Sequence, residues 1–197
     1  MRKIVLASAS KRRKNILSEC GIRCRVVPSH VPEISGKASG VRKIVIENAK
    51  RKTKAVASSM AHGTVVIGAD TLVVCGDRLI GKPGNKVEAK RLLLGFSGRR
   101  VDVYTGLCVM DTTTGKMASG VERTTIRTVK LNKKDADMFF DILGPYDKAG
   151  GFTIEGAGSM LFDDIKGSFF NVLGLPMIKL RELFGKIGED ILEYVER

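Results

Sequence analysis

Several short segments of the chain carry residues able to handle an anionic ligand. Leu6 to Arg13, Leu-Ala-Ser-Ala-Ser-Lys-Arg-Arg, reads as the end of a strand, a pair of hydroxyls and a helix start. Free backbone N–H groups and the positive end of the helix dipole favour a negative group there. Arg12 and Arg13 add forked donors that match phosphate oxygens. The pattern G-x-x-x-x-G-K-[ST] is absent, so this is not a Walker cradle; taken alone, a capped surface helix explains it equally well. Gly68-Ala69-Asp70-Thr71 sets a carboxylate among small residues after an apolar run, where it can hold a divalent cation or take a proton from water. A plain turn aspartate is the bland alternative. Gly81-Lys82-Pro83-Gly84 puts an ammonium group on a stiff loop, ready for a phosphate. Tyr146 to Gly158 supplies glycines for close backbone approach, with Asp147, Lys148 and Glu155 among them.

The elements that must position these residues alternate between strand and helix. Lys3 to Ala7 reads as a buried strand, and Lys11 to about Cys20 as a helix capped by Ser10 and stopped by Gly21. Arg25 to Val27 reads as a strand and Pro28 to Gly40 as a loop. Val41 to about Met60 is a long helix, its apolar stripe running through Val41, Val45, Ala49 and Val56. Lys52 falls in that stripe, and an inward lysine is costly unless it meets an anion or opens into a cleft; snorkelling to the surface is the other option. Thr64–Ile67 and Thr71–Cys75 read as β-rich runs broken at Gly68-Ala69-Asp70, with Arg78–Ile80 completing a hairpin across Gly76-Asp77. A helix is expected from Val87 to about Leu94, then strands Val101–Met110 and Val121–Leu131 across the turn Thr112–Gly115. Asn132 caps a helix to about Leu143, Met160–Ile165 is strand-like, and Pro176 to about Ile187 is an amphipathic helix before a short C-terminal one. Strands interleaved with helices, plus one long hairpin, imply an α/β fold with a mixed sheet. No repeat or linker divides the chain, so residues 1–197 are read as a single domain.

Composition narrows the partners. Hydrophobic residues make up 43% and charged residues 28% of the 197, ordinary for a globular protein. No apolar run approaches the roughly 20 residues of a membrane-spanning helix, and Ile4–Ala7 is too short for a secretory signal. A cytoplasmic protein without a membrane partner is expected. Cys20, Cys24, Cys75 and Cys108 form no C-x-x-C pair, and His30 and His62 lie near none of them; neither a zinc site nor a disulfide framework is expected. The net charge is +13, and residues 1–60 hold 15 Lys and Arg against 3 Asp and Glu. Such a concentration attracts nucleic acid, acidic lipid or a small phosphorylated ligand, unless it is merely a solvated face.

Taken in order, L-A-S-A-S-K-R-R, I-G-A-D-T, G-K-P, F-S-G-R, Y-T-G, D-K-A-G, I-E-G and G-L-P resemble the Maf proteins, nucleoside triphosphate pyrophosphatases once named for septum formation. The resemblance runs from Leu6 to Leu183. It implies a two-lobed fold similar to inosine-triphosphate pyrophosphatases, with a mixed twisted sheet and a central cleft. It also implies cleavage between the α and β phosphates, release of a nucleoside monophosphate and pyrophosphate, a divalent metal (Mg or Mn), and at family level a homodimer. By position, Asp70 matches the proton acceptor and Glu33, in V-P-E, its acidic partner near the metal, so that both are the implied metal ligands. Arg13, Lys52 and Lys82 match the basic catalytic positions, and Ser8 and Ser10 the phosphate-contacting serines. Arg12, Thr71 and Glu155 fall at the specificity positions. The branch acting on dTTP and UTP carries Arg and Thr at the first two, as here, but Gln at the third. Glu there is more like the branch acting on 7-methyl-GTP, and the change replaces a donor-and-acceptor amide with an acceptor-only carboxylate. Val101 stands where a histidine is common after S-G-R, which argues against a catalytic histidine.

The competing reading is a basic nucleic-acid-binding or division-regulating module without hydrolase activity. Residues 1–60 contain no Phe, Tyr or Trp, so base stacking has no platform there, and a stable nucleic-acid partner is not expected. An inosine-triphosphate-type housecleaning enzyme would keep the chemistry and change the base.

Overall fold

A computed structural model of the protein describes residues 2–142 and 149–196. The chain runs β1 (Lys3–Leu6), α1 (Lys11–Glu19), β2 (Cys24–Val26), α2 (Val41–Ala57), β3 (Thr64–Cys75), β4 (Arg78–Ile80), α3 (Lys86–Phe96), β5 (Arg100–Asp111) and β6 (Met117–Thr128). It continues through α4 (Lys133–Ile142), β7 (Phe162–Lys166), α5 (Phe169–Val172) and α6 (Met177–Ile187). The strands form one mixed sheet in the order β2-β1-β3-β5-β6-β7, with β4 also on β3. β1 is parallel to β2 and β3, and the other pairings are antiparallel. The expected α/β fold with a mixed sheet is present. Asp147, Lys148 and the expected helix end at Leu143 lie outside the described residues.

β3 departs from expectation. Thr64 to Cys75 is one strand without a break, and Asp70 sits in its middle, opposite Gly106 of β5. Gly68 is not a turn residue but a packing one. A side chain there would strike the hydroxyl of Thr53 and, at 2.6 Å, the carbonyl oxygen of Ala49. A side chain at Gly106 would strike the Val45 carbonyl. These bare patches on neighbouring strands let the α2 backbone lie directly on the sheet, which a local reading of Gly-Ala-Asp takes for a bend.

Strand alternation sorts the core onto the two faces of the sheet. Val5, Ala7 and Val66 pack with Val56 and Ala57 of α2. Ile4, Leu6, Val65, Ile67 and Leu107 pack on the other side with Leu17 of α1 and Leu180, Leu183 and Phe184 of α6. One edge of β3 is shared. Its first part pairs with β1 as far as Leu6↔Ile67, and its last part with β4 from Val73↔Ile80. Between them the sheet has a gap along Gly68–Leu72, at the carboxyl end of the parallel strand β1. Crevices outside the carboxyl ends of parallel strands are the usual place for ligands in open α/β sheets.

Smaller differences have local causes. α3 begins at Lys86 because Asn85 Oδ1 accepts from the Glu88 N–H at 2.9 Å, a cap the apolar pattern alone misses. The expected strand Met160–Ile165 is a 3-10 turn over Gly156–Leu161 followed by β7. β6 starts four residues before Val121 and ends at Thr128, where its pairing to β7 is irregular. The short helix α5, capped by Ser168, was not expected, and the C-terminal helix is a 3-10 turn over Ile191–Tyr194.

Candidate active site

On the α2 face of the gap, one helix delivers the partners of Asp70. Asn48 and Lys52 are one turn apart on the buried face of α2. Lys52 Nζ donates to Asp70 Oδ1 at 2.6 Å and to Glu33 Oε1 at 2.6 Å. Asn48 Nδ2 donates to Asp70 Oδ2 at 2.9 Å and to the Ile34 carbonyl at 3.1 Å, while its Oδ1 accepts from the Ile34 N–H at 2.7 Å. Asn48 therefore ties the loop that carries Glu33 to the strand that carries Asp70. The two arms of the Lys52 pair differ: the Asp70 side chain is 5% exposed and that of Glu33 60%. Stability alone is a poor reason to bury an ammonium–carboxylate pair, so this one is better understood as part of a site.

The opposite face of the gap is built by α1. The N–H of Ser10 donates to Ser8 Oγ at 3.2 Å, and Ser10 Oγ caps the helix by accepting from the Arg13 N–H at 3.4 Å. Both serine hydroxyls thus act as acceptors and keep their O–H protons for a ligand. The Arg13 guanidinium fills the gap, donating to Ser8 Oγ (3.0 Å), the Ala69 carbonyl (3.1 Å), Thr71 Oγ1 (2.9 Å) and the Gly174 carbonyl (2.8 Å). Thr71 faces away from Asp70, and its hydroxyl meets that of Thr105 (2.9 Å), which donates to the Asn171 carbonyl (3.2 Å). Burial pulls the Arg13 guanidinium below its ordinary value; the fields of Asp70 and Glu33 oppose that, and Arg12 adds to it. Arg13 stays charged regardless. Arg13 reaches the Ala69 carbonyl and the Thr71 hydroxyl while Lys52 reaches Asp70, so cations from α1 and α2 flank the same stretch of β3.

Arg12 turns away from the gap. Its Nε lies 3.4 Å from Glu155 Oε2 and its Nη2 donates to Thr153 Oγ1 at 3.1 Å. The three expected specificity positions therefore divide, Arg12 and Glu155 pairing while Thr71 supports Arg13. Lys82 is not drawn into the cluster. It is exposed and makes no hydrogen bond or ion pair among the described residues, on a loop after β4 that is tied by the Gly150 N–H on the Gly81 carbonyl (3.0 Å). Val101 is fully buried in the core. A hollow of about 430 Å³ lies beside the Glu33 loop, lined by Gly36–Ser39 and Asp77–Leu79. Neither Asp70 nor Lys52 lines it.

Asn48, Thr105, Thr153 and Asn171 escaped the sequence reading. Only Asn48 left a signal there, a polar residue on the stripe four positions before Lys52. The contacts of the others cross long stretches of chain.

No group of three His, Cys, Asp or Glu converges among the described residues. Asp70 and Glu33 offer two carboxylates on either side of an ammonium. That donor set suits an Mg-type ion, which binds through one or two carboxylates and completes its shell with water and phosphate oxygens; it does not suit a metal cage made of protein alone. The arrangement can bind a polyphosphate through Arg13, Ser8, Ser10 and Lys52 and present a carboxylate beside it.

A family model described as Maf-like protein matches residues 3–187. A dTTP/UTP pyrophosphatase of Desulforamulus reducens is 38% identical over 192 residues, 98% of this chain and 100% of that one. A protein of the same name from Bacillus anthracis is 39% identical over 184 residues, 93% of this chain and 95% of that one. Another, from Caldicellulosiruptor saccharolyticus, is 33% identical over 196 residues, 98% of each. Among solved structures, the Ham1 protein of Staphylococcus aureus is similar over 65% of this chain and 72% of that chain, at 15% identity and a TM-score of 0.46, a likeness too distant to bear on function.

Proposed function

The chain belongs to the Maf family, and on that footing we propose that it is a nucleoside triphosphate pyrophosphatase acting on dTTP- and UTP-like nucleotides. It hydrolyses the α–β phosphate bond and releases a nucleoside monophosphate and pyrophosphate. The observation that carries this reading is the Lys52 ammonium held 2.6 Å from both Glu33 and Asp70, across a sheet gap filled from the other side by Arg13.

A triphosphate entering the gap offers Lys52 new oxygens. As Nζ moves onto them it releases Asp70 Oδ1, which then accepts a proton from water. The water oxygen bonds to the α-phosphorus in line with the bridging oxygen, that P–O bond breaks, and pyrophosphate departs. Arg13 and Lys52 offset the charge that grows on the leaving group, and Lys82 reaches inward from its loop to the outer phosphates. Ser8 and Ser10 donate their hydroxyl protons to phosphate oxygens. A divalent cation, held by Asp70 and Glu33 with phosphate oxygens, would supply further charge neutralisation at the reacting phosphate. No covalent nucleophile is needed.

Pyrophosphate release from a panel of nucleotides in the presence of magnesium tests the reading, with dTTP and UTP expected to lead. Asp70→Asn should lower kcat on the order of a hundredfold while the folded state persists by circular dichroism. Near-normal turnover in that variant would reject Asp70 as the proton acceptor.

A further inference from the structure

Glu155 stands beside a phosphate cradle yet has nothing to offer a phosphate. Its side chain is 49% exposed, and a carboxylate only accepts hydrogen bonds, so it repels the charged end of a nucleotide. What it can accept is an N–H or O–H on the uncharged end. Its partner Arg12 is next to Arg13 on the first turn of α1, which places the pair at the edge of the cradle and not within it.

A single hydroxyl organises that pair. Thr153 Oγ1 accepts from Arg12 Nη2 (3.1 Å) and from the backbone N–H of Glu155 (3.2 Å), and it donates to Glu155 Oε2 (3.3 Å). Arg12 Nε approaches the same Oε2 at 3.4 Å. Thr153 itself is anchored between Phe152 and Ile154, 6% and 3% exposed. Without the hydroxyl, what joins Glu155 to Arg12 among the described residues is a 3.4 Å ion pair whose carboxylate is 49% exposed, an interaction worth little. With it, Oε2 is committed to the protein, and Oε1 makes no hydrogen bond among the described residues.

We propose that Thr153 is a positioning residue for substrate choice: its hydroxyl locks Arg12 and Glu155 into one donor–acceptor pair that reads the hydrogen-bonding groups of the nucleoside. This rests on the pyrophosphatase reading above. The group read belongs to the base or to the sugar, and the substrates separate the two. UTP and CTP differ in the base edge, whereas UTP and dUTP differ in the 2′-hydroxyl.

The test compares kcat/KM for these three nucleotides in the wild type, Thr153→Val and Thr153→Ser. Thr153→Val keeps the shape and removes the hydroxyl. It should shift the UTP/CTP ratio, or the UTP/dUTP ratio if the sugar is read, by about tenfold, through KM, with kcat for UTP within about twofold. Thr153→Ser should restore the wild-type ratios. In a Glu155→Ala background, Thr153→Val should change neither ratio further, because its partner is gone. Unchanged ratios in Thr153→Val, no rescue by serine, or an equal loss with all three nucleotides overturns the proposal. Thr153→Ala serves as a second removal of the hydroxyl with the same expected and overturning results. A wild type that releases no pyrophosphate from these three or from dTTP ends the dTTP/UTP pyrophosphatase reading as well; release with ratios indifferent to Thr153 ends this inference alone.

Discussion

Asn48 shows how much one amide can hold in place. It spends Oδ1 and Nδ2 on both backbone groups of Ile34 and still reaches Asp70. Asn48→Leu keeps the γ-branched shape, is bulkier and makes none of these bonds, so it leaves the buried Asp70 Oδ2 with one partner fewer. Each unsatisfied buried group costs about 1–3 kcal/mol, and urea unfolding should register at least that loss. The same variant frees the Glu33 loop, so pyrophosphate release should fall by about tenfold or more. At this scale, Lys52 was legible because a charge on an apolar stripe is a conflict that calls for a partner. Arg13 was legible as a cation beside a helix start, but its four acceptors were not. They come from the turn after β1, the middle of β3 and the turn after α5, which no periodicity links to residue 13.

Among the elements, α2 and the two strands beneath it build the candidate site, and their contact depends on absent side chains. Gly106→Ala would set a methyl group against the Val45 carbonyl and the Ile46 amide nitrogen, backbone atoms that cannot turn aside. A loss on the order of 3 kcal/mol or more is expected, seen as a lower thermal midpoint, together with loss of activity as Lys52 is lifted from Asp70. Gly95 provides the contrast. It lies in α3, exposed and with nothing within 4 Å of an added methyl, so Gly95→Ala should stabilise the protein by roughly 0.5–1 kcal/mol. Chemical denaturation of both variants checks the pair of signs. The helices α1 and α2 could be read from caps and apolar spacing. The continuity of β3 could not, because a glycine that makes room for a helix and a glycine that makes a turn look alike in one dimension.

Across the whole molecule, the start, middle and end of the chain meet at Asp111. Arg2 Nη1 donates to Asp111 Oδ2 at 2.8 Å and also pairs with Glu189, which accepts from the Tyr194 hydroxyl at 2.7 Å. Burial raises the Asp111 carboxyl, but hydrogen bonds from the Thr113 N–H, the Thr114 hydroxyl and Arg2 outweigh it and hold the group below its ordinary 3.8. A depressed folded-state value adds stability above the ordinary value, and that stability is lost as pH falls through the folded one. Asp111→Asn should therefore lower the thermal midpoint at about pH 7, and the gap from wild type should narrow at about pH 3. A gap that stays constant with pH would deny Asp111 this role.

The resemblance to the Maf proteins singled out Asp70, while residue types and their order alone determined the α/β class, the apolar face of α2 with Lys52 on it and the concentration of positive charge in residues 1–60. These follow from short-range rules: periodicity, capping and the cost of burying a charge. Tertiary structure decided where the chemistry can occur. The gap in the sheet exists because β1 and β4 occupy opposite ends of one edge of β3, a consequence of pairings between segments far apart in the chain. Strand alternation then sends Asp70 to one face and Thr71 to the other, so that Lys52 and Arg13 approach the same opening from opposite sides. Where Lys82 lies relative to that opening follows no short-range rule either, since a loop's composition says how stiff it is but not which way it faces.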